Sequence, residues 1–266
     1  MKLPIMTFNL RIDSGTKSED SWDRRSVRVA ETIERFAPVI VGTQEGSRPM
    51  LDVLKGHLGH YEYVGQGRGD GGADEYCAIF YDTRLLAIEE EGQFWLSEQP
   101  ETAGSVSWDS SLPRICTWAH FRCVGLAHPG WLVFNTHLDH LGQRAREEGI
   151  LLIWDKMREL GERKGVSALL MGDLNAEPDN AVIRFLRGQA ELGGRSARLA
   201  DAYAASAVRP GATYHDFKGG AEGEPIDYIF ATPDVAIEQT RIVTDSVDGR
   251  YPSDHYPVTA VVRIKG

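Results

Sequence analysis

A layered fold of mixed α/β or α+β class is what this sequence predicts. Short apolar runs of strand length recur from end to end, and amphipathic helical stretches fall between only some of them. The polar residues that break those runs stand at their ends: Asn9, Glu45, His137, Asp173 with Asn175, Asp227, and Asp254 with His255. Strand ends and the loops after them are where layered folds place their sites.

The elements follow in order. Leu3–Leu10 reads as a strand, and a polar loop runs on through Asp20. Trp22, Val29, Ile33 and Phe36 recur at helical spacing, so Ser21–Phe36 is predicted as a helix that Pro38 stops. Val39–Thr43 is a continuous apolar run of the buried-strand kind, and a second helix covers Pro49–Leu58. Tyr61–Val64, Tyr76–Tyr81, Ala87–Leu96, Ile115–Val124 and Trp131–Leu138 read as successive strands with Gly, Asp and Pro between them. Ile150, Ile153, Met157 and Leu160 mark a helix over Gln143–Glu162. Ser167–Met171 is a strand and Asn180–Leu186 a helix, and Ile226–Ala231, Ile237–Val243 and Pro257–Ile264 close the chain as strands.

Length alone leaves the domain count open at 266 residues. Polar strand ends spread along the whole chain favour a single domain, 1–266, with one site. The chain is 42% hydrophobic and 26% charged, which excludes the disordered class. With 29 Lys and Arg against 39 Asp and Glu its net charge is −10, which disfavours an extended grip on duplex DNA. Cys77, Cys116 and Cys123 lack metal or disulfide spacing and read as buried thiols of a reducing compartment. No secretory signal and no transmembrane run is evident, so a cytoplasmic protein is the expectation.

Four stretches carry possible chemistry. In MGDLNAEPD a strand runs into Gly172, Asp173 and Asn175, which pairs a carboxylate with an amide two residues on; the same letters also make a good turn. SDHYPV sets Asp254 against His255, a residue suited to proton transfer, with Asp227 available to orient it or a plain turn as the alternative. FNTHLDH holds His137, Asp139 and His140, but structural-zinc spacing is missing. TQEG ends a buried-type strand in Glu45, a position equally suited to a helix start. Together they offer oxygens, amides and histidines with almost no sulfur. Such a set suits Mg²⁺ or Mn²⁺, and with general acid/base histidines it points to phosphate esters.

The ordered motifs TFNLR, TQEG, NTHLDH, GDLNAEPD, IDYIF and SDHYPV resemble the endonuclease/exonuclease/phosphatase superfamily, from Asn9 to Pro257. That group contains deoxyribonuclease I, apurinic endonucleases, inositol polyphosphate phosphatases, neutral sphingomyelinases and nocturnin-like deadenylases. FNLR, the His215–Phe217 stretch and the SDHYPV ending look most like its bacterial nocturnin-like members. The resemblance implies a four-layered α/β sandwich, two mixed sheets packed face to face with helices outside. It implies Glu45 as principal metal ligand with Asn9 beside it, and Asp254 as a ligand of the same or a second ion. Asp173 then activates water, Asn175 helps hold the phosphate, and His255, oriented by Asp227, and His137 contact it. Glu75 is the expected carboxylate partner of His137, and Arg114 a further phosphate contact. His215 stands either at the pocket or in an unrelated loop. Where apurinic endonucleases carry Asp, this chain has Arg11, which counts against a second metal and an abasic-site substrate.

The function expected is divalent-metal-dependent hydrolysis of a phosphodiester, as by a nuclease, with single-stranded nucleic acid or a nucleotide as partner. The alternative is a phosphomonoesterase acting on a sugar, inositol or nucleotide phosphate. A non-catalytic binding protein on this fold and a zinc amidohydrolase are the remaining readings. No protein partner is expected.

Overall fold

The parallel pair β1 (Lys2–Asn9) and β2 (Ile40–Gln44) lies at the centre of a six-stranded sheet. A computed structural model describes residues 2–16, 18–69, 74–206 and 209–263. The strands that follow are β3 (Gly46–Ser47), β4 (Tyr61–Val64), β5 (Glu75–Tyr76), β6 (Ile79–Asp82), β7 (Leu86–Trp95), β8 (Ile115–Cys123), β9 (Trp131–His137) and β10 (Ala168–Asp173). After them come β11 (Ala200–Asp201), β12 (Asp227–Ala231), β13 (Ala236–Ile242) and β14 (Val258–Arg263). The helices are α1 (Trp22–Phe36), α2 (Arg48–His57), α3 (Gln143–Lys164) and α4 (Ala181–Leu186), with a 3-10 turn at Ala202–Ala205.

The two large sheets repeat one plan. The first runs β13-β14-β1-β2-β6-β4 and the second β11-β12-β10-β9-β8-β7. Each has a central parallel pair, β1 with β2 and β10 with β9, flanked by antiparallel neighbours. Alternation along β1 separates its two faces. Leu3 and Ile5 join the apolar cluster shared with the second sheet, whereas Met6 and Phe8 pack with Trp22, Val29, Ile33, Met50 and Leu54 of α1 and α2. On the far side, Ile150, Ile153 and Met157 of α3 and Val182 and Phe185 of α4 pack with the second sheet. The architecture is therefore the four-layered α/β sandwich, helices outside and two mixed sheets within.

Between the sheets the approach is close. A Cβ on Gly42 would stand 2.6 Å from Met171 Sδ and 2.8 Å from Asn135 Oδ1. An amide network bridges the gap: Gln44 Nε2 donates to Asn135 Oδ1 at 2.7 Å, and Asn135 Nδ2 donates to the Thr43 and Ala78 carbonyls at 2.9 Å each. This network explains a departure from the predicted strand Tyr76–Tyr81. The Ala78 carbonyl is taken by Thr43 N–H and Asn135, so the run breaks at Cys77–Ala78. β5 pairs instead with β3, which the sequence reading did not contain. The other predicted elements recur with ends shifted by a residue or two. α3 runs on to Lys164 because Arg163 and Lys164 suit a helix C-terminus and Gly165 caps it at φ 66°. β10 continues through Asp173, and Ile264, placed in the last predicted strand, lies outside the described residues.

One buried carboxylate fastens the loop between β9 and α3. Asp139 accepts from Ser111 N (3.0 Å), Ser111 Oγ (2.6 Å), Leu141 N (3.0 Å) and Gly142 N (2.7 Å), and Arg114 Nε stands 3.3 Å away. Burial alone would raise its pKa, but these donors outweigh it and hold the group well below the usual carboxylate range. A depressed folded-state pKa contributes stability above the unfolded value, about 3.9, that is lost as pH falls toward the folded one. Asp139→Asn is expected to lower unfolding stability by about 1–3 kcal/mol near neutrality. Urea unfolding at about pH 7 and about pH 3 checks this: the gap between variant and native should narrow at the lower pH. An equal gap at both contradicts the account.

Candidate functional site

The site is built where the two parallel pairs end. Register places Asp227, Asp173 and His137 side by side on β12, β10 and β9. In the first sheet Asn9 and Gln44 are register partners, and Glu45 follows at once. Gly172 allows the close pairing beneath: at φ 148° a Cβ there would lie 2.0 Å from the Thr136 carbonyl oxygen. Glu45 itself is left-handed, at φ 61°, and so are Arg11 (56°) and Asn175 (45°), non-glycine positions of the kind that cluster at sites.

Asn9 joins the two walls. Its Nδ2 donates to Glu45 Oε1 and Asp173 Oδ2, each at 3.0 Å, while its Oδ1 accepts from Arg11 N at 3.0 Å. Two carboxylates on one side and an N–H on the other fix which way the amide points. Asn9 therefore turns its nitrogen, not its oxygen, toward the acidic groups, so in this arrangement it bridges carboxylates instead of offering an oxygen to a cation. The second Glu45 oxygen accepts from Ile12 N at 2.9 Å. Burial opposes ionisation of Glu45, yet the Ile12 N–H, the Asn9 amide and the charge on His255 outweigh it and hold the group below the ordinary carboxylate range.

A carboxylate–imidazole–carboxylate chain forms the other wall. His255 Nδ1 meets Asp227 Oδ2 at 2.9 Å, and His255 Nε2 lies 3.8 Å from Asp173 Oδ2. His137 Nε2 faces the same Asp173 oxygen at 3.5 Å. All four residues are buried. Burial raises Asp173 to about 7, reinforced by Asp227 beside it. For His255 burial works against the charge, but Asp227 and then Asp173 overcome it and raise the imidazole to about 10. His137 moves the other way, held well below its ordinary value by burial and Arg114. Protonated His255, neutral His137 and a carboxylate poised near neutrality thus meet around one oxygen.

The remaining expected residues fall as follows. Asn175 N donates to Asp173 Oδ1 at 2.9 Å, and one of its amide hydrogens goes to the Leu138 carbonyl at 3.0 Å. Asp254 lines the same cleft, with Arg11 Nε 3.5 Å from its Oδ2 and Arg11 Nη1 3.9 Å from Glu45 Oε2. Glu75 also lines it, but its carboxylate is engaged by Arg68 at 2.7 Å, and the carboxylate facing His137 is Asp173. Arg114, expected at the phosphate, pairs with Asp139 and lines the cleft, with Nη2 3.0 Å from His140 Nδ1. His137, Asp139 and His140 do not converge, because Asp139 is consumed by its loop. His215 sits under the site, stacked on Tyr256 at 3.8 Å; its neighbour Tyr214 lines the cleft, ring centroid 5.1 Å from His255. Tyr214 and Arg68 were not singled out from the sequence, since an aromatic and an arginine in polar loops carry no periodic signal.

Two sets of groups could meet a cation. Among the described residues, Asp173, Asp227 and His255 present ligand atoms within 4.8 Å of one another. Those atoms, however, face each other across a hydrogen bond, with Asp227 Oδ1 left buried and unpartnered. Glu45 and Asp254 face a cleft of about 350 Å³ and offer only oxygen, the donor that Mg²⁺ and Mn²⁺ prefer. That donor set fits a hard divalent ion.

Comparison with known proteins agrees with this geometry. Residues 6–255 match the family described as endonuclease/exonuclease/phosphatase. A family protein of that description from Bacteroides thetaiotaomicron is 34% identical, with a TM-score of 0.89 over 100% of this chain and 99% of its own. A mannosyl-6-phosphatase from the same organism is also 34% identical, with a TM-score of 0.88 over 98% of this chain and 100% of its own. The catalytic domain of human nocturnin shares the fold at 17% identity, with a TM-score of 0.76 over 99% of this chain and 94% of its own. No curated protein matches. On the family match and the 34% identical relatives, the chain belongs to the endonuclease/exonuclease/phosphatase family, whose members hydrolyse phosphate esters.

Proposed function

We propose that this protein is a divalent-metal-dependent phosphatase acting on a small phosphate monoester of the sugar-phosphate kind. The observation that carries the reading is the meeting of Asp227–His255–Asp173, His137 and Glu45 in one cleft of about 350 Å³. That volume suits a monosaccharide phosphate better than a strand of nucleic acid. The 34% identical mannosyl-6-phosphatase, aligned over nearly all of both chains, supports the same choice over the phosphodiester expected from sequence. A net charge of −10, with Arg11, Arg68 and Arg114 of the cleft each beside an acidic side chain, counts against an extended nucleic-acid partner. A reducing compartment such as the cytoplasm suits the three cysteines, which are buried and not joined in disulfides.

Glu45 and Asp254 would hold the Mg²⁺ or Mn²⁺, which when bound supplies positive charge to the phosphoryl oxygens. The rest of the chemistry lies in the chain. Water attacks phosphorus opposite the sugar oxygen, and Asp173 takes its proton at Oδ2. Protonated His255 donates from Nε2 to a phosphoryl oxygen, stabilising the charge that builds there. Asp227 holds His255 at Nδ1, fixing its orientation and its proton. Neutral His137 and the Asn175 amide orient the phosphate, and Arg114 faces it from the cleft wall. The P–O bond to the sugar breaks, the leaving alkoxide takes a proton from solvent water, and Asp173 gives up to solvent the proton it accepted.

Two measurements test this. A panel of hexose phosphates, nucleotides, an aryl phosphodiester and single-stranded RNA, each with and without chelator, should give chelator-sensitive phosphate release, fastest with a hexose phosphate. Faster cleavage of the diester or of RNA would return the assignment to a phosphodiesterase. Asp227→Asn should lower kcat by about 10²–10³-fold, with KM changed far less. Retention of near-native kcat in the presence of Mg²⁺ contradicts the role given to His255.

A further inference from the structure

Arg25, in the first turns of α1, is fully buried and takes no part in the chemistry above. A charged side chain so placed ordinarily faces a carboxylate, because an unpaired buried charge is costly. The hydrogen bonds of Arg25 all go to backbone carbonyls instead. Its Nη1 donates to Leu10 O and, at 3.4 Å, to Pro252 O; its Nη2 donates to Arg11 O, and its Nε to Asp20 O at 2.8 Å. Trp22 and Phe217 cover the guanidinium at 5.0 and 6.0 Å.

These carbonyls are not scattered. Leu10 and Arg11 lie between Asn9 and Ile12, the residue whose N–H holds Glu45. Pro252 precedes Ser253, Asp254 and His255, and Ser253 Oγ donates to Asn9 O at 2.7 Å. Arg11 is held left-handed at φ 56° with its carbonyl on Arg25 and its own guanidinium toward Asp254. One planar fork thus joins the segment leaving β1 to the segment entering β14, directly behind the two carboxylates that face the cleft. Burial lowers Arg25 to about 10 against the pull of Asp254, Asp13 and Glu45, so it stays charged at neutral pH.

We propose that Arg25 is a positioning residue whose buried guanidinium sets the spacing of Glu45 and Asp254, and with it the affinity for the divalent ion. The inference rests on the reading of those two carboxylates as the ion's ligands. Lysine keeps the charge but lacks the rigid fork that reaches several carbonyls at once. The test is calorimetric titration of metal-stripped protein with Mg²⁺, without substrate, for the native chain, Arg25→Lys and Val29→Ala. Val29 is buried on the same helix among apolar residues and serves as a control for lost stability. Arg25→Lys should bind the ion about 10–100-fold more weakly, while Val29→Ala binds as the native chain does despite a lowered Tm. Unchanged binding by Arg25→Lys overturns the proposal, as does equal weakening in Val29→Ala. Should Arg25→Lys not fold, the guanidinium N–H resonances of Arg25 in the native protein provide the reading: a shift on Mg²⁺ addition that surface Arg158 does not share supports the brace, and no shift overturns it. A native chain that takes up no divalent ion instead overturns the ligand assignment, and the brace with it.

Discussion

Everything in this site depends on one shared amide. Asn9 Nδ2 reaches Glu45 and Asp173 at once, and those carboxylates belong to different sheets. Two acids at such close quarters, Asp173 buried and Glu45 partly so, would repel or protonate, and a donor between them offsets that cost. The backbone makes the contact possible. Gly42 lets the sheets approach, and the Gln44–Asn135 bond locks their relative height one residue before Glu45. Sheet packing and site chemistry are therefore a single constraint, and a change in the inter-sheet distance would alter both.

Around that bridge the charge is arranged asymmetrically. Asp227 keeps His255 protonated, whereas Arg114 and burial keep His137 neutral, so two histidines beside one carboxylate oxygen hold different proton counts. The acidity of the chain reads differently once placed. Part of the net −10 is Glu45, Asp173, Asp227 and Asp254, gathered at one cleft, and arginines stand at its walls.

Much of this was legible in the sequence because it lay at strand ends. Asn9, Glu45, His137, Asp173, Asp227 and His255 each interrupt an apolar run, and the fold brings them together at the ends of the parallel pairs. What was hidden depends on three-dimensional partners. The turn of the Asn9 amide is decided by Arg11 N, and the engagement of Glu75 by Arg68 follows from a single bridge between Gly67 and Tyr76, too short to show as a pattern. Arg25 sits in a helix where an arginine ordinarily marks the solvated face, and nothing in its spacing shows four carbonyls waiting for it. Tyr214 was overlooked beside His215, since adjacent residues on an extended segment point to opposite sides.

The central claim is that groups from two sheets act as one hydrogen-bonded unit. A double-mutant cycle in kcat/KM between Asn9→Ala, at the end of β1 in the first sheet, and Asp227→Asn, on β12 of the second, tests it most directly. Each single change should cost about 10²–10³-fold, and the double variant should be scarcely worse than the worse single one. Losses that multiply to about 10⁵-fold would mean that the two walls work independently, and would contradict the account.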